Sequence, residues 1–259
     1  MSAPVDMPPP TRSLLIASAP RTGSQLLSET LYATGLVGDP REFLQPRRFE
    51  AVRTATGIGY PAFRDRALTL ATGDHGVRSV TTKINALRWI LAMERASDPT
   101  ASQADDVAVL DRLFPAPTWV FLRREDTARQ AISWYRALAS ETWLRRTGDE
   151  ASPGPVAEPV WSRLAWLEER ARSHTERWRA WFARCRITPI EITYEALVSD
   201  LPGVVRQILG AVGLAVPAPV ETTEPGLERM ADEQSEEWLE RYLAIRDTVV
   251  ASPLVAADR

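Results

Sequence analysis

The segment Leu14–Leu31, LLIASAPRTGSQLLSETL, constrains the chain more than any other stretch. It opens on an apolar run, Leu14-Leu15-Ile16-Ala17, and turns through Ser18 to Ser24. It then continues with apolar residues at Leu26, Leu27, Leu31 and Tyr32. A short apolar run suits a strand buried on both faces, and the later spacing suits an amphipathic helix. Strand, tight polar loop and helix, in that order, leave unpaired backbone N–H groups at the helix start, where they attract an anion. Gly23 lets the backbone approach that anion closely. Arg21 adds a permanent cation with paired donors, Ser24 and Gln25 add donors in the first turn, and Pro20 and Thr22 complete the loop. The loop departs from the nucleotide-triphosphatase pattern GxxxxGK(S/T), because Ser18 stands at the first glycine and Ser24 at the lysine.

The rest of the chain continues the alternation. Strands are expected near Ser13–Ala17, Val77–Lys83, Thr118–Leu122 and Ile187–Thr193. Helices are expected near Ser24–Thr34, Asn85–Ala96 and Asp105–Phe114, after Asp126 to about Arg146, and near Trp161–Arg184, Leu201–Val212 and Glu233–Asp247. Residues 41–75 read as helical pieces around a glycine-containing loop. Such alternation predicts an α/β fold, P-loop-like and three-layered, with a central parallel sheet flanked by helices. With 259 residues and 44% hydrophobic content, one core suffices. The proline-rich residues 1–11 are expected to form a disordered leader and residues 12–259 a single domain. Within it, 59–100 is the expected acceptor-side cap and 217–259 a linker and final helix.

Composition narrows the function classes. A net charge of -3 gives no reason to expect nucleic acid as a partner. The single cysteine, Cys185, and two distant histidines, His75 and His174, argue against a metal site. No apolar run is long enough to span a membrane, and the N-terminal residues lack a signal-peptide pattern, so a cytoplasmic location is expected.

A second anion site is expected on the same rim. In VFLRREDTARQAISWYR, Val120–Arg136, a buried strand ends in Arg123 and Arg124 before a helix. Ser133 follows Arg124 by nine residues, about two and a half helical turns. Either arginine, with Ser133, suits a phosphate; surface pairing with Glu125 or Asp126 is the plainer alternative. Two separated anion sites imply a ligand with two separated phosphate-like groups, as in 3′-phosphoadenosine 5′-phosphosulfate (PAPS).

These residues resemble a sulfotransferase, and more specifically the bacterial trehalose 2-sulfotransferase family. The likeness rests on Ser18–Ser24, on ATGLVGDPREFLQ (Ala33–Gln45), on QAISWYR (Gln130–Arg136) and on ADEQSEEW (Ala231–Trp238). It implies sulfuryl transfer from PAPS to a hydroxyl of a trehalose-like carbohydrate or a glycosylated small molecule, with no metal. It places Pro20–Gln25 on the phosphosulfate and Arg124 and Ser133 on the 3′-phosphate. It assigns Glu42 as the base, where many cytosolic sulfotransferases use a histidine. Arg21, always charged, would stabilise the leaving oxygen. Asp39 and Lys83 are candidates for the acceptor side, although Asp39 also suits a plain turn before Pro40. Trp134, Tyr135 and Trp143 suit stacking on a ligand or core packing equally. A homodimer is expected from the family. The alternatives are an ATP-dependent small-molecule kinase of similar fold and a non-catalytic nucleotide-binding protein.

Overall fold

The computed structural model describes residues 9–143, 156–215 and 232–250. Four strands, β1 (Arg12–Ser18), β2 (Val77–Lys83), β3 (Pro117–Arg123) and β4 (Ile190–Thr193), form one parallel sheet in the order β2-β1-β3-β4. Helices α1 (Ser24–Ala33), α2 (Pro46–Thr56), α3 (Tyr60–Leu70), α4 (Ile84–Ser97) and α5 (Asp106–Leu113) alternate with the first three strands. Then come α6 (Thr127–Ala139), α7 (Trp161–Cys185), α8 (Tyr194–Ser199), α9 (Leu201–Ala211) and α10 (Glu233–Val250).

Side chains alternate across each strand, so the sheet feeds two cores. Leu15, Ala17, Val80, Trp119 and Phe121 pack with α2 to α5 and with Trp178, Trp181 and Phe182 of α7. Leu14, Ile16, Val120 and Leu122 pack on the other face with Leu27 and Leu31 of α1 and Val205, Ile208 and Leu209 of α9. This is the expected three-layer α/β arrangement. Because β1 lies between β2 and β3, the chain leaves it in opposite directions, and the loops after β1 and β3 open at the carboxyl ends where such sheets bind ligands.

Two expected boundaries change. The helix after β3 was expected to run to about Arg146 but ends at Ala139, and Glu141 follows in a left-handed conformation, φ 55°. Ser140 aids the stop: its Oγ donates to the carbonyl of Arg136 and accepts from the N–H of Thr142. The fourth strand begins at Ile190 rather than Ile187, after Pro189, which has no N–H to give the ladder. Residues 59–100, the expected acceptor-side cap, supply α3 and α4 and also β2 of the sheet. The leader before residue 9 and the linker over 217–231 lie outside the described residues, as does the expected loop up to residue 155.

Beyond the sheet, α10 docks on α6 and α7. Trp238, Leu239 and Tyr242 bury against Ala128, Ile132, Leu164 and Ala165. Arg136 of α6 grips Asp232 with both terminal nitrogens, at 2.7 and 2.6 Å, and also donates to Ser235 Oγ. Glu168, 1% exposed on α7, accepts from Thr127 and from Tyr242 at 2.8 Å each, and pairs with Arg172. Two of the stretches singled out in the sequence, Gln130–Arg136 and the described part of Ala231–Trp238, are therefore one latch.

Candidate active site

The loop after β1 takes a shape that ordinary residues avoid. Arg21 and Gly23 both have positive φ, 64° and 82°. For an arginine this costs on the order of 1 kcal/mol, so the surroundings must hold it there. Thr22, fully buried, donates to the carbonyl of Ala19 at 3.0 Å, and Gln130 of α6 donates to the carbonyl of Pro20 at 2.6 Å. No side chain caps α1. A Cβ at Gly23 would stand 2.8 Å from the Tyr194 ring, so only glycine fits between loop and ring. Gln25 bonds Glu29 one turn along α1 at 2.7 Å, on the exposed face.

Parallel register brings a cation to this loop from the neighbouring strand. Ser18 pairs with Lys83 across β1 and β2. Lys83 Nζ donates to Ser18 Oγ at 2.6 Å and to Ser24 Oγ at 3.0 Å, and lies 3.0 Å from Glu42 Oε1. Gln45 donates to the other oxygen of Glu42. The segment carrying Glu42 is tied down where the N–H of Thr81 donates to the carbonyl of Pro40 at 2.9 Å. Asp39, buried nearby, is taken up by Arg41, whose Nε lies 2.9 and 2.7 Å from its two oxygens. The two candidates for the acceptor side thus separate: Lys83 joins the loop to Glu42, whereas Asp39 makes a turn with Arg41.

Across β1, the loop after β3 separates the two arginines. Arg123 turns to carboxylates, Glu125 at 3.2 Å and Glu191 at 3.4 Å. Arg124 stacks over the Tyr194 ring at 4.3 Å, and its buried Nε has no hydrogen-bond partner. Ser133 accepts from Arg21 Nε at 3.0 Å, and Arg21 also donates to the carbonyl of Trp143 at 2.7 Å. Burial, and then the charge of Arg124, lower the pKa of Arg21; burial also lowers that of Arg124. Guanidinium groups stay protonated through such shifts, so two partly buried cations lie near each other. Asp126 caps α6 through the N–H of Arg129. Of the three aromatics, Trp134 is buried between α6 and α7, Tyr135 packs edge-on against Trp238, and Trp143 is about half exposed.

One residue of this rim escaped the sequence reading. Trp178 of α7 donates to the carbonyl of Ser18 at 3.1 Å, and one turn away lies His174. It is 5% exposed, packed edge-on against Trp134, and neither ring nitrogen has a partner. Burial, with Arg170, Arg177 and Lys83 nearby, brings its pKa down to about 4. Its distance in sequence from every motif hid it.

Residues 13–245 match the family described as Stf0 sulphotransferase. The chain belongs to that family. It is 31% identical over 258 residues to a trehalose 2-sulfotransferase of Mycobacterium tuberculosis (strain ATCC 35801 / TMC 107 / Erdman), covering 90% of this chain and 95% of that one. It is 33% identical over 267 residues to a trehalose 2-sulfotransferase of Mycolicibacterium smegmatis (strain ATCC 700084 / mc(2)155), covering 90% and 94%. The sulfotransferase domain of the Synechococcus PCC 7002 olefin synthase superposes with a TM-score of 0.43 at 15% identity, over 95% of this chain and 92% of that one. As an Stf0 member the chain is a sulfotransferase, and the kinase and non-catalytic readings give way. Among the described residues no group of three or more His, Cys, Asp or Glu is arranged to hold a metal, and no helix is long and apolar enough to cross a membrane.

Proposed function

We propose that the protein transfers a sulfuryl group from PAPS to a hydroxyl of a carbohydrate, either trehalose-like or part of a glycosylated small molecule. The observation that carries the donor assignment is Arg124: a partly buried guanidinium, stacked on Tyr194, with an orphaned buried Nε and a second guanidinium nearby. Burying a guanidinium nitrogen without a hydrogen-bond acceptor is costly, and an anionic ligand relieves the cost. The left-handed loop at Pro20–Gln25 provides a second cradle on the other side of Arg21, which suits a donor with two separated anionic groups. The sugar acceptor rests on the two trehalose 2-sulfotransferases.

PAPS supplies an activated sulfuryl group: the acceptor oxygen bonds to sulfur, the bridging S–O bond breaks, and its electron pair goes to the phosphate. Residues of the chain do the rest. Loop N–H groups and Arg21 hold the phosphosulfate end and stabilise the charge that grows on the bridging oxygen. Arg124 and Ser133 hold the 3′-phosphate. Glu42 takes the hydroxyl proton, which a sugar needs removed to attack well. Lys83 orients Glu42 and ties it to Ser18 and Ser24, so base and loop keep one spacing. Asp39 acts through Arg41 by shaping the turn that presents Glu42. No metal takes part. The protein works in the cytoplasm as a homodimer; light scattering at micromolar concentration tests the assembly, and a clean monomer mass would defeat it.

Thermal unfolding with PAP, the desulfated donor, against ATP and ADP tests the donor assignment. At 100 times its dissociation constant PAP adds about 2.7 kcal/mol to the native state. A shift with PAP alone is expected. A larger shift with ATP would sink the assignment. Transfer of labelled sulfate from PAPS to trehalose then tests the acceptor.

A further inference from the structure

Three arginines gather on the β2 side of the rim with no carboxylate partner among the described residues. Arg170, His174 and Arg177 fall at i, i+4 and i+7 of α7, which sets them on one helix face. The next residue, Trp178, bonds the carbonyl of Ser18, so this part of α7 stands level with the loop. Arg88 of α4 bears on Arg177, and Lys83 of β2 bears on His174. Elsewhere in the fold some arginines are tied to carboxylates, as Arg64 is to Glu94 and Arg95 to Asp106. Among the described residues no carboxylate pairs with Arg88, Arg170 or Arg177, and Arg170 rests only on the Trp166 ring. Beside them His174 is buried with both nitrogens unpartnered, where buried polar groups in native folds normally have partners. A water molecule would satisfy the ring, and solvent reaches the exposed Arg88 and Arg170, but the positive charge of this face keeps no counter-ion among the described residues.

We infer that Arg88, Arg170, Arg177 and His174 form an anion subsite for the acceptor, and that the sugar to be sulfated already carries a phosphate monoester. The inference rests on the sulfotransferase reading above. The donor's anionic groups go to the loop and to Arg124, on the β1 and β3 side, which leaves the β2 side to the acceptor. Lys83 joins the two regions, since it contacts Glu42 and also bears on His174. Three guanidinium groups match a phosphate monoester, with nearly two negative charges and three free oxygens, better than a lone carboxylate. His174 is left to bond a hydroxyl of the same sugar.

Calorimetric titration of the PAP-loaded protein with trehalose and with trehalose 6-phosphate tests this. The phosphorylated sugar is expected to bind at least about tenfold more tightly, with an advantage that shrinks as salt is raised. Arg88→Ala, at an exposed position, and Arg177→Gln are each expected to erase most of that advantage while PAP affinity and melting temperature hold. Equal binding of the two sugars, or binding of neither, overturns the subsite. A fall in PAP affinity in Arg88→Ala would reassign the cluster to the donor and overturn it as well. Should PAP fail to bind the wild-type protein, the donor reading falls instead, and the same titrations on ligand-free protein decide the subsite by the same criterion.

Discussion

Two ionisable side chains lie buried six residues apart on α7, and the fold treats them oppositely. Glu168 is saturated: Thr127 comes from α6, Tyr242 from α10 and Arg172 from its own helix, with Arg246 of α10 at 3.9 Å. His174, two turns nearer the sheet rim, has no hydrogen-bond partner at all. A buried carboxylate with every oxygen engaged is a structural joint, and it fastens α10 to the body. A buried imidazole with neither nitrogen engaged among the described residues, beside a row of arginines, is free to take a partner from outside the fold. The same contrast separates Arg136, gripped on both nitrogens by Asp232, from Arg124, whose Nε is orphaned. Substitutions in the saturated region should cost stability and those on the open rim should cost binding or turnover.

Glu42→Gln puts the strongest demand on that division. Turnover should fall about 10³-fold, the scale of general-base catalysis, while PAP affinity and melting temperature stay near wild type. Turnover close to wild type would remove Glu42 as the base. In the saturated region, Glu168→Gln should cost about 3 kcal/mol in denaturant unfolding, because Arg172 is left beside a neutral partner, with PAP affinity unchanged. If it binds PAP poorly at temperatures where it is folded, α7 does not divide as described. Arg124→Ala should weaken PAP by about 30-fold in calorimetry and leave the protein as stable as before or more so, since an unanswered buried cation is removed.

The smallest effect is in pH dependence. His174 has its pKa lowered from 6.5 to about 4, first by burial and then by Arg170 and Arg177 on its own helix and Lys83 from β2. The unfolded chain therefore binds a proton between those values that the folded chain refuses, and stability falls as pH drops through that window. Between pH 7 and pH 5 this residue should account for about 2 kcal/mol of lost stability. Denaturant curves of wild type and His174→Gln at the two pH values measure it, and parallel losses in the two proteins would show that the imidazole is not held neutral.

What the sequence displays is what is local. The run Leu14–Ala17, the turn at Gly23 and the alternation of strands and helices are short-range patterns, and the fold repeats them within a residue or two. Residues 140–143 were expected to continue the long helix after β3, because nothing in the spacing of apolar residues marks the stop at Ser140. Lys83 was legible as the end of a strand but not as the loop's cation. That role depends on pairing with Ser18 across 65 positions of chain, which only the parallel register fixes. Arg123 and Arg124 could not be told apart in sequence, because the choice belongs to Glu191 and Tyr194, on and just after β4. His174 left one faint signal, its place between Arg170 and Arg177 on a single helical stripe, and ordinary solvated helices carry such stripes too.

Tyr194 touches both halves of the proposed donor site. Its ring stands where any side chain at residue 23 would go, and its face carries Arg124. A change that reshapes the loop therefore displaces the platform of the other anion site. Descendants of this chain could not trade one donor for another by single steps, since each half would spoil its partner. The far side of the rim has no such yoke: Arg88 and Arg170 sit on exposed helix surface and can be exchanged one at a time. Within such a lineage the donor should stay fixed while the molecule receiving the sulfate drifts.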